Sequence, residues 1–303
     1  MSSKTSETTE GGLPAAGRTR VGPAGGAAPL AGLPHTVLRP EPEGVQLNLR
    51  DLWAYRELLY FLTWRDIKVR YKQTLMGVAW VVLQPLMTML IFTLVFTRFV
   101  KADAGDIPYP LFAYAGLMLW TFFQVSVTSS THSLITNTSL ITKVYFPRAF
   151  IPAAAVGAGL LDLSVAAVPL AALAVYYRVQ VTWGLLLLPF FVLLGAMLAL
   201  SVGMVASALT VRYRDLRHAL PFLLQLWMFA SPVLYPVRLV GERWRWAFAA
   251  NPMTGVLEGF RSALTGTPFD WQLIAVPAAA APVLVFVAFY VFRRLEDTFA
   301  DII

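Results

Sequence analysis

Long uncharged stretches alternate with short charged ones along most of this chain. Five runs, Met76–Thr97, Tyr109–Thr131, Val179–Val211, Ala219–Val237 and Trp271–Phe292, contain no Asp, Glu, Lys or Arg over 19 to 33 residues. A sixth, Ile151–Tyr177, is interrupted only by Asp162. About 20 apolar residues in helical form cross a hydrocarbon layer ~30 Å thick, and a lone segment there satisfies its backbone only as a helix. The pattern predicts an all-α integral membrane protein with six transmembrane helices: Gly77–Phe99, Pro110–His132, Ile151–Tyr177, a helix within Trp183–Val211, Leu220–Pro236 and Trp271–Phe292.

Two other stretches follow different rules. Between Asn48 and Lys72, Leu52, Tyr55, Leu59 and Leu62 recur at helical spacing beside a basic set, Arg56, Arg65, Lys68, Arg70 and Lys72. With Trp53, Tyr60 and Trp64 added, this predicts an N-terminal amphipathic helix lying in the membrane interface, capped by Asn48 or Asp51. Between spans five and six, Trp246–Leu264 is apolar, but only Trp246–Leu257 is free of charge, too short to cross. Asn251-Pro252, Gly255 and Gly259 punctuate it, which predicts one or two re-entrant half-helices forming a hairpin. Residues 1–44 are rich in Gly, Pro and Ala, lack the apolar core of a signal peptide and predict a disordered cytoplasmic tail. The expected organisation is therefore 1–44 tail, 45–72 interfacial helix and 73–303 transmembrane domain.

Composition narrows the function. Of the 303 residues, 57% are hydrophobic and 14% charged, and mean hydropathy is +0.63, far from a soluble domain with about a quarter charged residues. The net charge of +7 sits beside the apolar runs and not on a polar domain, so no nucleic acid is expected as a partner. With the N-terminus inside, thirteen Lys and Arg flank the inner ends, from Arg50 to Arg294, and seven the outer ends. That bias predicts both termini in the cytoplasm. Cysteine is absent, which removes disulfides, thiol catalysis and cysteine-bound metal. No G-x-x-x-x-G-K-[S/T] occurs, so no nucleotide phosphate is cradled by a P-loop here. The three histidines, His35, His132 and His218, are too scattered for a metal site. Gly157-Ala158-Gly159 reads as a spot for close helix packing.

Asp162 is the only acid well inside a span. Such a carboxylate relays protons in some transporters, but without a basic or histidine partner it reads here as a buried acid bonded to Ser164 or to another helix. The loop Asn137–Pro152 mixes Ile, Val, Tyr and Phe with Lys143 and Arg148; apolar side chains in a wet loop predict a docking surface. Arg212-Tyr213-Arg214-Asp215-Leu216-Arg217 makes a second charged turn on the same side. Trp80, Trp120, Phe122, Phe123 and Trp227 are the candidate channel aromatics, since aromatic walls suit the apolar faces of sugar rings.

Together these segments resemble a known family, the membrane (permease) subunits of ABC-2 type exporters for O-antigen, capsule and teichoic-acid polysaccharides. The resemblance spans Arg56–Ile303. It rests on Trp64-Arg65-Asp66-Ile67-Lys68-Val69-Arg70-Tyr71, Leu75-Met76-Gly77-Val78-Ala79-Trp80, Gln84-Pro85 and Ile141-Thr142-Lys143-Val144-Tyr145-Phe146-Pro147-Arg148. Further along come Arg212-Tyr213-Arg214-Asp215, Ser231-Pro232-Val233-Leu234-Tyr235-Pro236, Asn251-Pro252-Met253 and Phe292-Arg293-Arg294-Leu295-Glu296. No single motif decides it; order and spacing do.

The resemblance implies a homodimeric channel in the cytoplasmic (inner) membrane. It would be driven by a separate ABC ATPase dimer that binds ATP and Mg, so this chain would be no enzyme and carry no cofactor. Thr142, Lys143, Tyr145, Arg148, Arg212, Arg214 and Asp215 would couple to the ATPase. Arg65, Lys68, Arg70 and Lys72 would draw the headgroup of a polyprenyl-linked glycan out of the surrounding membrane lipids. Asn251, Pro252, Met253 and Arg261 would form an outer gate. The rival readings are an ABC-2 drug or small-lipid exporter permease, which shares the six-span plan, and a proton-coupled secondary transporter. A membrane-embedded transferase would need acid or histidine clusters that the chain lacks.

Overall fold

The computed structural model describes residues 55–72, 77–96, 107–143, 146–239, 241–296 and 299. The predicted tail, the caps at Asn48 and Asp51, and Tyr145 lie outside the described residues. Ten α-helices and two short 3-10 turns make up the described part, without a strand. The helices are α1 Arg56–Lys72, α2 Val78–Val95, α3 Tyr109–Thr136, α4 Thr138–Lys143, α5 Phe150–Tyr176, α6 Leu188–Arg212, α7 Leu216–Phe229, α8 Glu242–Ala250, α9 Pro252–Thr265 and α10 Trp271–Glu296; the 3-10 turn Trp183–Leu187 leads straight into α6.

Four of these are long and apolar enough to cross a membrane: α3, α5, the continuous segment Trp183–Arg212, and α10. The other two predicted spans are shorter. Helix α2 covers 18 described residues, while α7 has only 14, about 21 Å of rise. Leu220–Pro236 is thus not one helix. Its second half, Ala230–Pro236, is a turn that contains Pro232 and Pro236, which cannot extend a helical hydrogen-bond ladder.

Helix α3 is the hub, packed against α2, α5, α6, α7 and α9. Its first half, Leu111 to Trp120, is buried on every side, as expected of a helix apolar all round. Close approach comes from small residues. The two glycines of Gly157-Ala158-Gly159 face opposite neighbours, Gly157 against Thr63 of α1 and Gly159 against Ser126 of α3. Where Ser130 of α3 meets Gly203 of α6, a Cβ at position 203 would stand 2.6 Å from Ser130 Cβ. Gly203→Ala is therefore expected to force the two central helices apart, at a cost of about 1–3 kcal/mol. Thermal unfolding in detergent should show a lower midpoint for it, whereas Gly241→Ala, with open space around it, should match the parent.

A second apolar core closes one end of the bundle, joining Leu62, Leu134, Ile141, Phe146, Phe150, Ile151, Val211, Phe292 and Phe299. Here the structure corrects the sequence reading of Asn137–Pro152. Its Ile141, Phe146, Phe150 and Ile151 are not bare apolar groups awaiting a partner; the chain covers them itself. At the opposite end, α8 and α9 are two short helices that meet at Asn251-Pro252, where the sequence placed a break. Gly255 and Gly259 do not break α9, however. They lie inside it, where α10 and Phe191 approach too closely for a side chain.

Candidate functional site

A cavity of about 380 Å³ lies between α1, α2, α3 and α5. Its polar wall begins with Asp162, twelve residues (about 18 Å) beyond the first residue of α5. Arg70 at the end of α1 forms an ion pair with Asp162 Oδ2, and Tyr71 donates its hydroxyl to Asp162 Oδ1. A second Arg70 nitrogen, Nη2, reaches Ser129 Oγ at 3.3 Å. Burial, and then the neighbouring carboxylate, raise the Tyr71 phenol above its usual range, so it stays a donor. The sequence reading of Asp162 as an acid without a basic partner is thereby overturned. Of the two partners the sequence offered, the structure gives another helix and not Ser164, whose hydroxyl donates to Leu160 O. Arg70 was expected to face lipid headgroups; its charge is instead spent within the bundle. Trp80, Gln84 and Pro85 of α2 and Thr121 and Phe122 of α3 complete the rim.

The other predicted entrance residues divide. Arg65 pairs with the adjacent Asp66 at 2.8 Å. Lys68 and Lys72 are exposed, Lys68 over the Trp64 ring, on a face that also carries Tyr60 and Phe61. Of the predicted aromatics, Trp120 and Phe123 are buried in the main core with the half-buried Trp227 against both, ring centroids 5.1–6.4 Å apart. Only Trp80 and Phe122 border the cavity.

The end closed by the second core gathers the predicted coupling residues. Thr142 and Lys143 on α4 are exposed, as are Arg212, Arg214 and Asp215 at the α6–α7 turn. Ile141 and Val211, their buried neighbours, share one core and so hold both segments at the same end. Arg148 differs from the rest. Its Nη1 donates to Glu296 O at 2.8 Å and its backbone N–H to Glu296 Oε1 at 3.3 Å, tying the loop to the end of α10.

The opposite end is held by Asn251 and Arg261. Asn251 caps α9 through Met253 N–H at 3.1 Å, and Pro252 occupies the first helical position, where its missing N–H costs nothing. The same Asn251 carboxamide donates to Ser231 Oγ at 2.8 Å and accepts from Trp227 Nε1 at 3.1 Å. Arg261 is 2% exposed. It donates to Pro232 O at 2.7 Å, Val233 O at 2.6 Å and Glu258 Oε1 at 2.9 Å, and stacks 3.6 Å over the Phe112 ring. Tyr109 adds a bond to Leu234 O at 2.9 Å. The motifs Ser231–Pro236 and Asn251–Met253 thus meet in one polar knot. Sequence reading missed the parts played by Tyr71, Ser129, Tyr109 and Glu258, although Tyr71 stood at the end of a motif already singled out.

Residues 57–265 match the family described as ABC-2 type transporter. The O-antigen export system permease protein RfbA of Myxococcus xanthus is 30% identical over 256 residues, covering 84% of this chain and 98% of its own. A protein of the same name from Klebsiella pneumoniae is 28% identical over 82% and 95% of the two chains. The polysialic acid transport protein KpsM of Escherichia coli is 22% identical over 66% and 78%.

Proposed function

The chain belongs to the ABC-2 type transporter family, and from that membership we propose that it is the channel-forming permease subunit of an ATP-driven exporter moving a lipid-linked polysaccharide across the cytoplasmic membrane. The observation that carries this is the similarity to an O-antigen export permease along 84% of the chain and 98% of the relative, so the likeness is not confined to one motif. That polysaccharide-transport relatives come from three organisms favours a glycan over a drug or small lipid.

In this reading α2, α3, α5, the segment Trp183–Arg212, α7 with its following turn, and α10 are the six spans. Residues 45–72 are the interfacial helix, 73–303 the transmembrane domain and 1–44 a cytoplasmic tail. The α4 end faces the cytoplasm, along with both termini, and the α8–α9 hairpin lies at the outer mouth as the gate. Setting aside the buried Arg261 on the outer side and the paired Arg70 on the inner side leaves six against twelve, which keeps the positive-inside bias. Lys68 and Lys72 are the charges left to draw the pyrophosphate headgroup. Two copies form the channel, and a separate ATPase dimer with ATP and Mg seats against α4 and the Arg212–Asp215 turn.

Exposure sorts the coupling residues. Substituting Lys143, Arg212 and Arg214 by Ala is expected to leave a folded permease whose partner hydrolyses ATP without export. Arg148→Ala should instead lower stability, because it unties α10. Co-purification of the ATPase with each variant, beside surface glycan, separates the two; full export by the triple variant would defeat the coupling assignment. The overall reading is tested by depleting this protein in its host. Lipid-linked glycan should accumulate inside while surface glycan disappears; unchanged amounts at both places would sink it.

A further inference from the structure

The cavity beside the Arg70–Asp162 pair has a chemistry of its own. It lies at mid-bundle depth, yet the Gln84 carboxamide and the Thr121 hydroxyl on its rim make no hydrogen bond among the described residues. Gln84 is exposed and Thr121 half-buried, so both groups are reachable, and the lining suits a ligand with hydroxyl or amide groups. An anion is a poor fit. The one guanidinium on the cavity wall is already neutralised by Asp162, and a phosphate placed there would meet that carboxylate as well. Beside these polar groups, Trp80 stands one helical turn from Gln84 and Phe122 next to Thr121, and their ring faces suit an apolar ring surface. Trp80 is 59% exposed, so part of the cavity lining is reachable from outside the chain. Its volume falls within the ~300–1,000 Å³ range of small-ligand sites.

We propose that this cavity is a subsite for a neutral sugar residue of the exported chain, held by hydroxyl bonds to Gln84, Thr121 and the Arg70–Asp162 pair and by stacking on Trp80 and Phe122, and that it does not take the pyrophosphate. The proposal rests on the polysaccharide-export reading and assigns the glycan and its lipid headgroup to different places: the sugar here, the headgroup at Lys68 and Lys72 on the exposed face of α1.

A diazirine amino acid placed at Val125, on the cavity wall, and in a second strain at Val168, on the outward face of α5, tests this in the full chain within its host. Cells are grown with tritiated sugar or with radioactive phosphate, irradiated, and the protein is purified. The expected result is sugar label captured at position 125 and not at 168, falling roughly tenfold when Trp80→Ala and Thr121→Val are combined, as loss of one stack and one hydrogen bond implies. Phosphate label without sugar would make the cavity a headgroup site and overturn the proposal. So would capture of unlabelled lipid alone, or equal sugar label at both positions. Surface glycan is measured in the same cells. Normal export with no sugar at position 125 removes the subsite only, whereas the depletion experiment alone decides the export reading.

Discussion

Arg70→Ala is expected to leave a chain that is recovered poorly from membranes and unfolds well below the parent, because it strands Asp162 as an uncompensated charge deep in the bundle. Breaking one side of a buried ion pair costs on the order of 3–5 kcal/mol. Both partners are mostly buried, with 26% and 12% of their side-chain surface exposed, so solvent screens little of that loss. Asp162→Ala should be nearly as harmful, since it strands the guanidinium with its 3.3 Å bond to Ser129 Oγ as the remaining hydrogen bond among the described residues. The double variant Arg70→Met/Asp162→Leu separates stability from function. Apolar replacement of a whole buried pair is often neutral or stabilising, so this protein should unfold near the parent in lipid nanodiscs. Its export should nonetheless drop if the pair serves the glycan as proposed. A double variant as unstable as Arg70→Ala would show that apolar packing cannot replace the pair.

Arg261→Lys is expected to be almost as damaging as Arg261→Ala, although it keeps the charge. A guanidinium serves two carbonyls, a carboxylate and an aromatic face at once; an ammonium offers a single point with different reach. Either change leaves the Pro232 and Val233 carbonyls and the Glu258 carboxylate short of a partner inside the protein. At about 1–3 kcal/mol for each unsatisfied group, the total is on the order of 4 kcal/mol. Gly116 sets the fit from the other side, because a Cβ there would collide with the guanidinium and with Val233 O. Unfolding midpoints of Arg261→Lys and Gly116→Ala should fall together. A stable Arg261→Lys protein that leaks solute would instead make the residue a gate group, as the sequence first suggested.

That contrast shows what kind of property a sequence states. Arg261 was visible as a charge in an apolar stretch, and a tally of loop charges counted it with Arg243 and Arg245. Burial separates them: Arg245 meets Asp270 at an exposed position, while Arg261 is enclosed. Arg70 tells the same story. It fell into a basic set with Arg65, Lys68 and Lys72, and helical spacing says which residues share a face but not which face turns toward a neighbouring helix. The apolar loop Asn137–Pro152 looked sticky because a sequence carries no record that Phe292 and Phe299, some 150 positions further on, arrive to cover it.

By itself the sequence determined the all-helical membrane character, the places of four of the six expected spans and the break at Asn251-Pro252. Each of these follows from local quantities: the length of an uncharged run against the thickness of a bilayer, and the backbone limits of proline. Only the tertiary structure decided the partner of Asp162, the inward turn of Arg70, the enclosure of Trp120 and Phe123, and the joining of Ser231–Pro236 to Asn251 and Arg261. Those depend on contacts between residues 20 to more than 90 positions apart, set by how small residues let helices approach, and no local pattern along the chain encodes them.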